Sequence, residues 1–193
     1  MGWTRGAQTT PSPAEHQAGR GKAGLKRVGT KIRPLVWVAL ISGLVWLVHW
    51  LSYVLIKGRI LRRQRWDLNI CCGKTDGGGV NVDIAQHGHV PNLVLVNDVC
   101  RLPFREGQFQ TVLCSHTMEH VDRPDAFYRE LQRVGRQVTV VIPPLWDVTA
   151  AYNPLDHKWT FLTLRKAHLR LPPHVRTPLA STVQRILGQR NRP

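Results

Sequence analysis

Three places along the chain carry residues whose type and position suit the binding of a nucleoside. The first is Leu68-Asn-Ile-Cys-Cys-Gly-Lys-Thr-Asp-Gly-Gly-Gly79, an apolar run that turns into glycines. Glycine adopts backbone angles closed to other residues and lets a ligand approach the main chain. The second is Val80-Asn-Val-Asp-Ile84, with Asp83 near the tip of an apolar run. In nucleoside-binding α/β folds an acid at the end of the second strand accepts hydrogen bonds from ribose hydroxyls. The third is Asn97-Asp98-Val99. A carboxylate there can accept from an adenine amino group while the next amide donates to the ring. All three places follow apolar runs, at the carboxyl ends where open parallel sheets bind ligands.

A second group of residues could move protons. Ser115 and His116 follow the apolar stretch Thr111 to Cys114, and His120 and His157 lie further on. A histidine can serve as general base toward a hydroxyl or an amine, and His116, His120 and His157 are the candidates, His116 first. His116-Thr-Met-Glu-His120 also spells H-x-x-E-H, an inverted zinc-protease pattern. It follows a buried strand directly, a new helix begins at Asp122 and Pro124, and no glutamate follows Glu130. No metal is therefore expected. The cysteines Cys71, Cys72, Cys100 and Cys114 include no C-x-x-C pair, and they read as buried, reduced thiols. Ser115 lacks a G-x-S-x-G frame, and Gly77-Gly-Gly79 lacks the Lys-Ser/Thr ending of a phosphate loop.

The elements that would position these residues can be read from apolar runs. Strands are expected at 67–72, 80–84, 93–96, 111–114 and 137–142, mostly apolar as in a sheet buried on both faces. A helix is expected between the last two. Asp122 can cap it, Pro124 suits its first turn, Gly135 suits its end, and Phe127, Leu131 and Val134 share a face. Segments 163–171 and 179–187 read as two basic helices. The expectation is an α/β fold, Rossmann-like and three-layered (α/β/α), with a mostly parallel sheet of five or more strands.

The N-terminal third is different. Residues 1–33 are rich in Gly, Pro, Thr, Ala and basic side chains, and read as disordered. Leu35 to Ile56 is 22 residues without a formal charge, long enough as a helix, about 33 Å, to span a bilayer core of roughly 30 Å. Trp37, Trp50 and Tyr53 suit its interfacial ends, whereas Trp46 and His49 fit less well. The organisation expected is a tail over 1–33, a transmembrane helix over 34–57, a basic linker over 58–66, the α/β domain over 67–161 and a basic helical tail over 162–193. The net charge of +15 is concentrated early: twelve of the 27 Lys and Arg precede Trp66, with one of the 12 acids. That placement suits anionic lipid headgroups and weighs against nucleic acid, which calls for a basic surface on the folded part.

From Asp98 onward the sequence resembles a known family. Asp98-Val-Cys-Arg-Leu-Pro-Phe104, then Thr111-Val-Leu-Cys-Ser-His-Thr-Met-Glu-His-Val121, Arg129-Glu-Leu-Gln-Arg-Val134 and Asp156-His-Lys-Trp-Thr-Phe161 are similar to class I methyltransferases of the type 11 family, in a short form. The resemblance implies S-adenosylmethionine as cofactor and a methyltransferase activity. It implies that Cys71, Cys72 and Gly73 lie at the cofactor, the latter two on its methionine side. Asp83 and Ile84 would lie at the ribose, Asp98 and Val99 at the adenine, and Ser115 and His116 would face the sulfonium and the substrate. The sequence departs from the family in three ways. Cys71 stands where a glycine is usual, about ten residues separate Gly73 from Asp83, and no sixth or seventh strand is evident.

The expected protein is a single-pass, membrane-tethered methyltransferase with its domain on the cytoplasmic side and a small-molecule or lipid-linked acceptor. The alternative is a catalytically degenerate methyltransferase fold acting as a binding or scaffold module at a membrane.

Overall fold

The computed structural model describes residues 34–188. The expected tail over 1–33 lies outside the described residues. The chain divides into two compact units, one ending at Leu44 and one beginning at Val45. In the first unit, residues 34–44 are helical and exposed.

Helix α1 runs Pro34–Leu61, 28 residues with a mean hydropathy of 1.9 over its most apolar stretch. It is long and apolar enough to cross a membrane. Its Leu51–Ile56 portion is π-helical. The segment read as a linker from residue 58 is helical through Leu61, because Arg62 and Arg63 still donate backbone hydrogen bonds to Gly58 and Ile60.

The second unit is built on a sheet of strands β1 (Trp66–Ile70), β2 (Gly78–Asp83), β3 (Leu93–Leu95), β4 (Phe109–Ser115), β5 (Gly135–Val141) and β7 (Ala167–His168). Their spatial order is β3-β2-β1-β4-β5-β7. All pairs are parallel except β5 with β7. This is a Rossmann-like α/β sheet. The chain order reverses between β1 and β4, and the carboxyl ends of those strands form the switch point where such sheets hold ligands.

Side chains alternate across the sheet, as the two-residue period requires. Val112, Cys114, Val138 and Val140 face one core, which helix α2 (Pro124–Val134) closes with Phe127, Tyr128, Leu131 and Val134. Leu113 and Val141 face the other side with Trp66, where Ile60 and Leu61 from the end of α1 cover them. Gly135 follows α2 immediately, where any side chain would run into Val112.

The β1–β2 connection contains no helix. A parallel crossover ordinarily needs a dozen or more residues, and here seven intervene between Ile70 and Gly78. The loop instead runs back along β1, held by two buried asparagines. Asn69 Nδ2 donates to the Thr75 carbonyl at 2.8 Å and to Asn81 Oδ1 at 3.0 Å. Asn81 Oδ1 also accepts from the Gly77 amide, and its Nδ2 donates to Asp76 Oδ1. A Cβ on Gly77 would meet Asn69 at 2.6 Å, and one on Gly79 would collide with the β1 backbone. The glycine run thus serves close passage of the chain.

The C-terminal region differs from expectation. Residues 163–171 are not a helix. They supply β7, and the following Pro172-Pro173 disfavours helical geometry before it. Strands β6 (Trp159–Phe161) and β8 (His174–Arg176) pair antiparallel. Short helix α3 (Val148–Ala151) precedes them, and α4 (Ala180–Leu187) matches the second expected helix.

Candidate functional site at the strand ends

The expected cofactor residues fall at the carboxyl ends of β1, β2 and β3. Cys71 follows β1 with φ of 51° and Gly73 has φ of 56°. A Cβ on Gly73 would have no heavy atom within 4 Å, so the main chain here faces open space. Asp83 ends β2 and is almost fully buried. Its Oδ2 accepts from the Gly73 amide at 2.8 Å and its Oδ1 from the Ile84 amide at 2.8 Å. The exposed His87 ring lies 3.8 Å from Oδ1. The structure therefore brings Cys71, Cys72, Gly73, Asp83 and Ile84 together.

Asp98 lies three residues past β3. It is exposed, and its Oδ1 accepts from the Cys100 amide at 2.8 Å. Val99 is buried. The Val96 amide donates to the Asp83 carbonyl at 2.9 Å, so the segment leading to Asp98 is fastened to the tip of β2.

On the other side of the switch point, Ile70 is in register with Cys114, which sets Cys71 beside Ser115 and His116. His116 also has a left-handed backbone, with φ of 55°. Two neighbouring strands thus each end in a non-glycine residue in that sparsely populated region, a form of strain that clusters at functional sites. The Ser115 Oγ and His116 Nε2 are buried without a hydrogen-bond partner among the described residues. The His116 Nδ1 lies 3.2 Å from Glu119 Oε1, and the Tyr53 ring stands over His116 at 5.5 Å between centroids. Burial pulls the His116 imidazole below its ordinary range, against the opposing pull of Glu119.

The thiols are unreactive by environment. Burial pushes Cys72 up to about 11 and Cys114 up to about 12, and raises Cys71 as well, with nearby Cys114 and Asp83 adding to it. None of them is poised as a thiolate nucleophile.

Residues 75–142 match the family model described as a methyltransferase domain, type 11. This stretch is similar to a methyltransferase domain. No curated protein matches the chain at a significant level. The matched stretch takes in Asp83, Asp98, Ser115, His116 and His120. The turn Cys71–Gly73 and His157 lie outside it.

His120 does not point its Nδ1 at the strand ends. That atom bonds to the Asp156 carbonyl at 3.1 Å, and the ring meets His157 edge-on at 4.8 Å. Between His116 and His120, Glu119 is buried. Burial would raise its carboxyl, but the three histidines around it outweigh that and hold it down to about 2.

Three polar residues were not legible as part of this region. Lys166 is buried and donates from Nζ to Ser52 Oγ at 2.9 Å. Burial pulls its ammonium down to about 8 despite Asp147 and Glu119. Asp147, also buried, meets the ring of His49 at 3.0 Å. Its carboxyl stays below the usual range because Ser52 and His49 outweigh the effect of burial. The signal available was the awkward His49 in an apolar helix. With Ser52 and Tyr53 it forms a polar stripe at i, i+3 and i+4, and that stripe faces Asp147, Lys166 and His116.

Two surface depressions, of about 300 and 290 Å³, open elsewhere. They are lined by residues such as Trp66, Gln137 and Gly135 from the amino ends of the strands. Ligands of open α/β sheets bind at the other end, so these are not the cofactor crevice.

Proposed function

We propose that the protein is an S-adenosylmethionine-dependent methyltransferase, tethered to a membrane by α1, that acts on a small-molecule or lipid-linked acceptor. The single observation that carries this reading is the clasp between Asp83 and Gly73. A buried carboxylate at the tip of β2 is hydrogen-bonded to a glycine amide whose Cα faces open space. That is the arrangement a nucleoside-bearing cofactor needs: an acceptor for ribose hydroxyls beside main chain free of side chains.

The residues present fit the cofactor. Cys72 and Gly73 would lie against its methionine portion, Asp83 would accept from the ribose, and Asp98 with the Val99 amide would meet the adenine. Bound there, the cofactor supplies an already activated methyl group, so alignment of the acceptor provides much of the rate. The buried, unpartnered Nε2 of His116 would accept the proton of a hydroxyl or amine acceptor. The Tyr53 ring packs against that of His116, and the Ser115 Oγ is buried.

The tether follows from α1. The contacts of His49 and Ser52 with Asp147 and Lys166 keep that part of the helix out of hydrocarbon, since ionised groups there are costly. The apolar residues before His49 remain for the apolar layer, about 22 Å of helix against a full hydrocarbon core of roughly 30 Å. The basic residues Lys57, Arg59, Arg62, Arg63 and Arg65 would then meet anionic lipid. Free cysteines support a reducing, cytoplasmic face for the domain.

The test is calorimetry of the full chain in detergent with S-adenosylmethionine and its demethylated product. Binding of both, weakened at least about tenfold in Asp83→Asn, is the expected result. No binding at millimolar ligand would leave the scaffold reading, which Cys71 in place of a glycine favours.

A further inference from the structure

A second polar cluster lies three residues beyond His116 and is not used by the methyl-transfer reading. Glu119, His120 and His157 each offer a ligand atom, and these atoms lie within 4.8 Å of one another. Glu119 is 1% exposed and His157 is 7% exposed. Both carboxylate oxygens of Glu119 and the Nδ1 of His157 are buried without a hydrogen-bond partner among the described residues. The neighbouring His116 Nδ1 approaches Oε1 to 3.2 Å as an ion-pair contact.

An ionised carboxylate buried in this way is costly unless a partner satisfies it. Among the described residues the nearest is the His116 ring at 3.2 Å, and neither oxygen has a hydrogen bond of good geometry. The surroundings are those of a ligand set. His120 is oriented by its Nδ1 contact with the Asp156 carbonyl, which leaves its other ring nitrogen to carry the lone pair. Metal-binding histidines are commonly fixed by a backbone carbonyl in this manner. The Glu119 carbonyl accepts from the amides of Lys158 at 2.7 Å and Trp159 at 3.2 Å. The segment bearing His157 is thereby held beside the segment bearing Glu119 and His120, with 36 residues between the two histidines counted exclusively along the chain.

We propose that Glu119, His120 and His157 bind a divalent transition-metal ion of the zinc class. One carboxylate and two imidazoles are a borderline donor set suited to zinc. Zinc bonds of about 2.0–2.2 Å would set tetrahedral ligands roughly 3.4 Å apart, so the side chains close by little more than an ångström. Three protein ligands leave a fourth position for a water or an acceptor oxygen, next to His116. The H-x-x-E-H spelling contributes its glutamate and second histidine. The third ligand is a histidine from after β5 rather than the glutamate of a protease, and the first histidine belongs to the neighbouring site.

The experiment uses the full chain in detergent, stripped with chelator and titrated with Co2+ and then Zn2+. The wild type should bind one Co2+ per chain, displaced by Zn2+. His120→Ala and His157→Ala should each weaken Co2+ binding at least about tenfold, whereas His89→Ala, an exposed histidine, should not. Glu119→Gln keeps the buried shape, so it guards against simple unfolding. Zn2+ should raise the wild-type Tm and leave that of Glu119→Gln unchanged, because only a native-state ligand stabilises. A wild type that takes up neither ion overturns the proposal. So does Co2+ binding at wild-type affinity in both histidine variants. Cofactor affinity is measured on the same samples and stands or falls separately.

Discussion

Asp83 Oδ2 accepts a hydrogen bond from the amide of Gly73 at 2.8 Å, so the tip of β2 is fastened to the turn that follows β1. The same carboxylate caps the Ile84 amide through Oδ1. Asp83 is thus both a ligand for the proposed cofactor and a brace for the turn beneath it. Removing it entirely would leave amides with no acceptor, each at about 1–3 kcal/mol where buried. Asp83→Ala should therefore lower Tm and abolish cofactor binding together. Asp83→Asn keeps one carbonyl oxygen and separates the effects. It should lose a smaller part of the thermal stability and at least about tenfold in affinity, the scale of one charge-assisted hydrogen bond. Differential scanning fluorimetry and calorimetry on the same samples check this. Unchanged affinity in Asp83→Asn would remove the ribose assignment.

Gly73 allows a complementary test. Its φ of +56° costs an alanine about 1 kcal/mol. Its Cβ direction is open, so the added methyl group enters the space assigned to the cofactor without touching protein. Gly107 has φ of +60° and equally open surroundings and lies in the loop before β4. Gly73→Ala and Gly107→Ala should lose similar stability, but only the first should lose cofactor affinity. Equal affinity in both would mean that the Gly73 turn is purely structural.

In the proposed reaction His116 would carry the proton-transfer step. His116→Ala should reduce turnover by about 10²–10⁴, the usual contribution of a general base, with cofactor affinity little changed. His89→Ala should behave as wild type. An acceptor screen by mass spectrometry supplies the activity readout. Turnover at the wild-type rate in His116→Ala would assign the residue to packing under Tyr53.

Much of this arrangement was legible because it rests on short-range pattern. The five parallel strands are apolar runs, and α2 has a proline start, a glycine end and one apolar face. Asp83 and Asp98 fall at strand ends for the same reason. The β1–β2 loop was legible only as too short. Its solution, a pair of buried asparagines holding an extended return, is a long-range polar match that no local pattern announces. Residues 163–171 looked helical because Arg165, Lys166 and Arg170 alternate with leucines. The strand pairing of His168 with Val140 and the bond from Tyr128 Oη to the Leu169 carbonyl won instead. Lys166 read as one more surface base. Its burial depends on Ser52, 114 residues away in the chain, and sequence offers no measure of such a contact.

That contact sets the pH behaviour of the docked helix segment. The ammonium of Lys166 falls from an ordinary 10.5 to about 8 through burial. Between those values the unfolded chain holds a proton that the folded one has released, so stability rises as pH increases through that window. Below about 8 the full cost of the buried charge is present, on the order of 2 kcal/mol after allowance for screening. Lys166→Met removes the charge and keeps the packing. It should be more stable than wild type at pH 7, and the advantage should shrink steadily toward pH 10. Ser52→Ala withdraws the hydroxyl that accepts from Nζ and should be destabilised most at neutral pH, where the ammonium is fully charged. Thermal unfolding in detergent from pH 6.5 to 10 measures all three chains. A stability difference between wild type and Lys166→Met that stays constant across this range would show that Lys166 titrates as an exposed lysine, undocked from Ser52.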